Sequence, residues 1–99
     1  MRITIHEPEG AVILTIDGRV ADPFLIEFQR AWHELAPSLG SRKLSVDLRG
    51  VTFMDMSGRQ LLAEIHAKTG ADFIADRPLT KYYAEEAIKG IRTNLESGK

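Results

Sequence analysis

Val46-Asp47-Leu48-Arg49-Gly50-Val51-Thr52-Phe53-Met54-Asp55-Met56-Ser57-Gly58 is the stretch on which the reading of this chain turns. Its apolar start predicts a buried strand over Lys43 to Leu48, with Leu44, Val46 and Leu48 on one face. Phe53 to Asp55 reads as a short loop, and Ser57 as the mouth of a helix running to about Thr69. That helix buries Leu61, Leu62 and Ile65, and Gly70 stops it. A hydroxyl beside a carboxylate at a helix N-terminus is a natural place for a charge switch.

Working outward, Ile3 and Ile5 share one face of an opening strand, and Glu7-Pro8-Glu9-Gly10 is a turn signal. Ala11 to Asp17 alternates again, so the two runs predict an antiparallel hairpin. Asp22-Pro23 predicts a helix start, with Asp22 as N-cap and Pro23 in the first helical position. Phe24, Phe28, Trp32, Leu35 and Leu39 then form one apolar stripe, Pro37 distorts the last turn, and Gly40 ends it. Beyond Gly70, Ala71 to Ala75 predicts a short fourth strand. Pro78 introduces a last helix with Leu79, Tyr83, Ala87, Ile91 and Leu95 on one side, which Gly90 weakens and Ser97 to Lys99 leaves frayed. The fold class is α/β, in the order β-β-α-β-α-β-α, with a mixed sheet because strands joined through helices run parallel. Alternating strands leave one sheet face wet, so the helices lie mainly on the other.

Composition narrows the function. The 99 residues are read as a single domain, long enough for one core without staples. A net charge of −1 gives no global field toward nucleic acid or an anionic membrane, and no apolar run is long enough to insert into a bilayer. The absence of cysteine excludes disulfides and thiolate chemistry and is compatible with a cytoplasmic location. His6, His33 and His66 fall in separate elements without ligand spacing, so no metal is expected. No phosphate-binding glycine motif occurs, and no cofactor is expected.

Ser57 admits more than one reading. Ser57-Gly58-Arg59-Gln60 fits the capping box, with Ser57 and Gln60 bonding each other's amides and Met56 and Leu61 as the staple. An exposed cap hydroxyl is equally accessible to a kinase, and a phosphate there would meet the free helix amides and the repulsion of Asp55. Nucleophilic catalysis fits poorly. Asp55 stands where a nucleophile elbow needs glycine, and no feature sets a histidine base beside Ser57, so the chain is read as not an enzyme.

The same run resembles the signature of the STAS domain, the fold of bacterial anti-sigma-factor antagonists. It matches V-D-L-x-x-V-x-F-x-D-x-S-G at Val46, Asp47, Leu48, Val51, Phe53, Asp55, Ser57 and Gly58. Ile16-Asp17-Gly18-Arg19-Val20 also resembles the family's L-x-G-x-L segment. The resemblance implies a STAS-like fold, here without the final strand and helix of the full domain. It implies that Ser57 is a phosphoacceptor and that Asp55 belongs to the kinase-facing site. It further implies a protein-interaction module, with an anti-sigma kinase as partner in a partner switch that regulates transcription. Other members of the family are adaptors, so a non-phosphorylated subunit of a transporter or lipid-transport ATPase is the alternative. The partner surface expected on this basis is Phe53, Met54, Asp55, Met56, Ser57, Gly58, Arg59 and Gln60, with Arg59 adding a charge where the family has an apolar residue. Elsewhere, one of Tyr82 and Tyr83 is expected to be exposed, and Glu64 and Lys68 to pair along the helix. A sheet edge left open at the fourth strand is expected to be covered by the last helix or closed in a homodimer.

Overall fold

The computed structural model describes residues 1–90. The expected positions of Ile91, Leu95 and Ser97 to Lys99 lie outside the described residues. Strand β1 (Arg2–His6) pairs antiparallel with β2 (Ala11–Val20), which lies parallel to β3 (Lys43–Met54), which lies parallel to β4 (Asp72–Ile74). Helix α1 (Leu25–Leu35) links β2 to β3, α2 (Met56–Thr69) links β3 to β4, and α3 (Pro78–Lys89) follows β4. The mixed sheet has the order β1-β2-β3-β4, as the α/β reading requires.

All three helices cover one sheet face. Phe28 and Trp32 of α1, Leu62 and Ile65 of α2 and Tyr83 of α3 join Val12, Leu14, Ile16, Leu44, Val46 and Leu48 in one core cluster. The intervening residues Thr15, Asp17, Ser45 and Asp47 alternate to the opposite face. There Arg49 pairs with Asp47 through two side-chain hydrogen bonds of 3.0 and 2.9 Å, which holds the Asp47 carboxyl below its usual range.

The decisive detail lies in β3. It pairs in simple register from Ala11↔Lys43 to Thr15↔Asp47, and then slips twice. Asp17 faces Gly50 and Arg19 faces Phe53, so β3 carries an extra residue at each slip. A one-residue slip turns successive side chains to the other face. The inward series therefore runs Leu44, Val46, Leu48, Val51, Met54, each of them buried. Met54 goes in and Phe53 comes out. The expected loop over Phe53 and Met54 is thus the end of a longer strand.

Two further expectations change. Asp22 does not cap α1: the Phe24 amide donates to the Ala21 carbonyl at 2.9 Å, so Asp22 and Pro23 sit inside a turn, and the helix starts at Leu25. The buried stripe is consequently Leu25, Phe28, Trp32, Leu35 and Leu39, while Phe24 is 47% exposed. On α3 the buried face is Thr80, Tyr83, Ala84 and Ala87: the Tyr83 hydroxyl bonds inward to the Met54 amide, and the Thr80 hydroxyl bonds the backbone of Asp76 and Arg77 at the helix's own start; Leu79 is exposed. Tyr82 is the exposed tyrosine of the pair. The short 3-10 turn Ala36–Ser38 contains Pro37, and Gly70 closes α2 in the left-handed conformation at φ 70°.

Candidate functional site at the mouth of α2

Helix α2 starts two residues earlier than the capping-box reading requires, and its cap is Asp55. The Asp55 carboxylate accepts the Gly58 amide at 2.8 Å, and the Arg59 amide donates to the Asp55 carbonyl at 3.0 Å. Ser57 is therefore the second helical residue, not the N-cap, and the proposed exchange with Gln60 does not form. Met56 is the first helical residue and is 46% exposed, so it makes no staple with Leu61. Asp55 has the extended backbone that an N-cap needs, and its carboxylate accepts a first-turn amide, so it takes the cap in place of the serine. The freed Ser57 side chain is exposed to solvent.

Asp55 also ties the neighbouring chain. Its second carboxylate oxygen accepts the Asp22 amide at 3.3 Å, and its own amide donates to the Val20 carbonyl at 3.1 Å. The end of β2, the turn into α1 and the start of α2 are thus joined through one residue. Gly58 permits the close approach. A Cβ there would lie 3.0 Å from the Val20 carbonyl oxygen and 3.1 Å from a Val20 methyl.

A groove of about 400 Å³ opens between α1 and α2, lined by Asp22, Leu25, Ile26, Gln29, Ser57, Gln60, Leu61 and Glu64. Ser57, Gln60, Leu61 and Glu64 follow helical spacing, so they form the groove's α2 wall. Phe24, Ile26 and Met56 are exposed around it, and Phe53 lies under the Arg19 guanidinium at 4.5 Å. Apolar side chains left unburied beside a polar groove are the ordinary material of an interface.

The sequence-predicted residues divide accordingly. Phe53, Met56, Ser57 and Gln60 reach the surface, and Asp55 is half-buried at the cap. Met54 is fully buried, so its side chain is closed to a partner, and Gly58 is buried as a packing point. Arg59 does not add a free charge. It bonds Glu86 of α3 at 2.9 and 3.3 Å, with side chains only 22% and 15% exposed, and that carboxylate holds the guanidinium pKa above its usual value. Being two residues from Ser57, it projects from the opposite flank of α2. Tyr83 strengthens that flank by accepting the buried Met54 amide at 3.1 Å. Arg77 adds donations to the carbonyls of Arg49 and Val51 at 2.9 and 2.6 Å.

Sequence reading missed Arg19, Asp22 and Phe24 as members of the mouth. Asp22-Pro23 reads as a helix start in the sequence, and the docking of Asp22 on Asp55 spans 33 positions in the chain. Among the described residues no cluster of metal-ligating side chains occurs, and no helix is long and apolar enough to cross a membrane. His66 stays structural: its Nδ1 bonds the Ala71 carbonyl at 2.8 Å, and its ring packs on Phe73.

No family model matches the chain, and no curated protein matches it. Solved structures do. SpoIIAA, an anti-sigma-factor antagonist solved in its unphosphorylated form, matches with TM-score 0.64 and 16% identity, over 97% of this chain and 94% of that one. A chain solved as Mglu matches with TM-score 0.58 and 22% identity, over 76% of this chain. The match spans 19% of the length of Mglu. Both likenesses concern the fold, which is STAS-like: a mixed sheet with its helices on one face.

Proposed function

We propose that the protein is a STAS-type interaction module that acts as an anti-sigma-factor antagonist in a partner switch. The observation that carries this reading is an exposed serine in the first turn of α2, in a rigid frame, beside apolar side chains that the core does not use. The partner is an anti-sigma kinase, a protein with an ATPase site. The unmodified antagonist binds it through Phe53, Met56, Ser57 and Gln60, together with Phe24 and Ile26, and thereby frees a sigma factor. Asp55, Met54 and Gly58 act behind that surface by holding the helix mouth.

Phosphorylation of the Ser57 hydroxyl reverses the state. The phosphoryl group leaves ATP as ADP departs, the hydroxyl proton is lost, and a group of about −1.5 to −2 charges replaces it. The leading amides of α2 and its dipole tolerate that charge, so the fold persists. Asp22, Asp55 and Glu64 line or adjoin the same mouth, and the added charge changes what can dock there. The resulting charge and bulk expel the partner.

The test is calorimetry of the purified partner against two variants. Ser57→Ala is expected to bind as the wild type does, and Ser57→Asp at least about tenfold more weakly, or about 1.4 kcal/mol. A non-phosphorylated adaptor of a transporter or lipid-transport ATPase would use the same apolar rim. Equal affinity for the two variants favours that alternative and removes the switch.

A further inference from the structure

β1 is an outer strand of the sheet, and nothing among the described residues pairs with its free side. The two sheet edges differ. β4 has three residues, and a Lys43–Asp72 ion pair of 2.9 Å stands across its start. β1 has five residues, contains no proline or lysine, and pairs with β2 without any register shift. Natural edge strands are usually blunted by such residues, by bulges or by brevity. β1 has no proline, lysine or bulge, its one fixed charge is Arg2 at the strand's start, and on its helix-side face Ile5 is 41% exposed.

The free edge offers backbone donors and acceptors, so its occupant is an extended strand. The sequence Arg2-Ile3-Thr4-Ile5-His6 fits a second copy of itself. In an antiparallel pair across a two-fold axis, facing residues share a sheet face. Centring the axis on Thr4 pairs all five residues: Thr4 with Thr4, Ile3 with Ile5, and Arg2 with His6 of the second copy. The isoleucines then meet on the helix side, and the exposed part of Ile5 is covered. Whichever set of backbone groups points outward, this centre satisfies it.

We propose that the β1 edge is a homodimer interface, joining two sheets into one through strands antiparallel about Thr4. This places the dimer contact at the first strand rather than at the fourth, which is the sheet's other outer strand. Five paired residues fall short of the roughly 1,200 Å² of a stable interface, so monomer and dimer exchange. The edge shares no residue with the α2 mouth, and the dimer therefore presents two such mouths on one particle.

The chain has no cysteine, so single substitutions report cleanly. Thr4→Cys would place two thiols across the axis about 4.5–5.5 Å apart between Cα atoms, within the range of about 4.4–6.8 Å that a disulfide accepts. Asp72→Cys on the opposite edge is the control. Far-UV circular dichroism checks that each variant is folded. Thr4→Cys is expected to cross-link at least about tenfold faster than the control, because pairing raises the effective thiol concentration. Sedimentation equilibrium of the wild type should show a mass rising from monomer toward dimer with concentration, and Ile5→Lys should remain monomeric. A wild type that stays monomeric at its highest soluble concentration overturns the interface. So does a dimer in which Thr4→Cys cross-links no faster than Asp72→Cys, or one that Ile5→Lys leaves intact.

Discussion

The two flanks of α2 are built differently. Toward α3 the helix is closed: Arg59 is bonded to Glu86, Tyr83 holds the Met54 amide, and Arg77 holds two β3 carbonyls. Toward α1 it is open: a groove runs past Ser57, and Phe24, Ile26 and Met56 remain exposed. One side spends its side chains on fixing the helix, and the other leaves them free. A surface that must bind and release a partner needs a rigid frame beneath it and unsatisfied apolar area above it. Under the proposed function the contrast separates stability from recognition, and substitutions can break it.

The largest stability effect belongs to the closed flank. Tyr83→Ala is expected to cost about 3–5 kcal/mol, as aromatic truncations in cores do. Tyr83→Phe isolates the hydrogen bond, and should cost about 1–3 kcal/mol by orphaning the buried Met54 amide. Denaturant unfolding measures both. A Tyr83→Phe protein as stable as the wild type would mean that water reaches Met54 and that this flank is not closed.

At the seam between the flanks, Gly58→Val is expected to lose about 1–3 kcal/mol, because its side chain must push into Val20. Gly58→Ala should lose less, since a shift of a few tenths of an ångström relieves a 3.0 Å approach. A thermal melt that ranks the two variants in the reverse order would remove packing as the reason for this glycine.

Arg59→Ala should cost about 1–2 kcal/mol, less than a fully buried pair, because both side chains keep some solvent access. A double-mutant cycle with Glu86→Ala is the proper measure, and a coupling near zero would reduce the pair to ordinary surface charge.

On the open flank, Phe24→Ser and Met56→Ser are expected to stay within about 0.5 kcal/mol of the wild type in stability. Their effect should instead appear in partner affinity. Loss of stability without loss of binding would invert the comparison.

The smallest effect lies on the wet sheet face. Arg49 lowers the Asp47 pKa in the folded protein, so the pair adds stability above the unfolded carboxyl value of about 3.9. That contribution is lost as pH falls through the lowered folded value. The stability gap between the wild type and Asp47→Asn should hold at neutral pH and narrow in acid. A gap that widens in acid would contradict the assignment.

Much of the fold was legible because its signals are local. Alternation in Ala11 to Asp17, the helical spacing of Leu61, Leu62 and Ile65, and Gly70 each depend on neighbours a few positions away. The slips in β3 were not legible, since Leu48-Arg49-Gly50-Val51 alternates poorly and only pairing with β2 resolves which residues turn inward. The same cause misassigned Phe53 and Met54. At the site, Ser57 and Asp55 were both singled out, but their roles as cap and free hydroxyl depend on backbone geometry at Asp55. The Arg59–Glu86 pair joins residues 27 positions apart, beyond any local pattern.

The most direct test of the account is a quantitative affinity purification from the native host. Tagged wild type would be compared with Ser57→Asp and Met56→Glu on the open flank, and with Tyr82→Glu on the exposed face of α3. The account predicts a kinase-type ATPase that co-purifies with the wild type and with Tyr82→Glu, and is lost with Ser57→Asp and Met56→Glu. Recovery of the same proteins with all four baits, or loss with Tyr82→Glu alone, would contradict recognition at the mouth of α2.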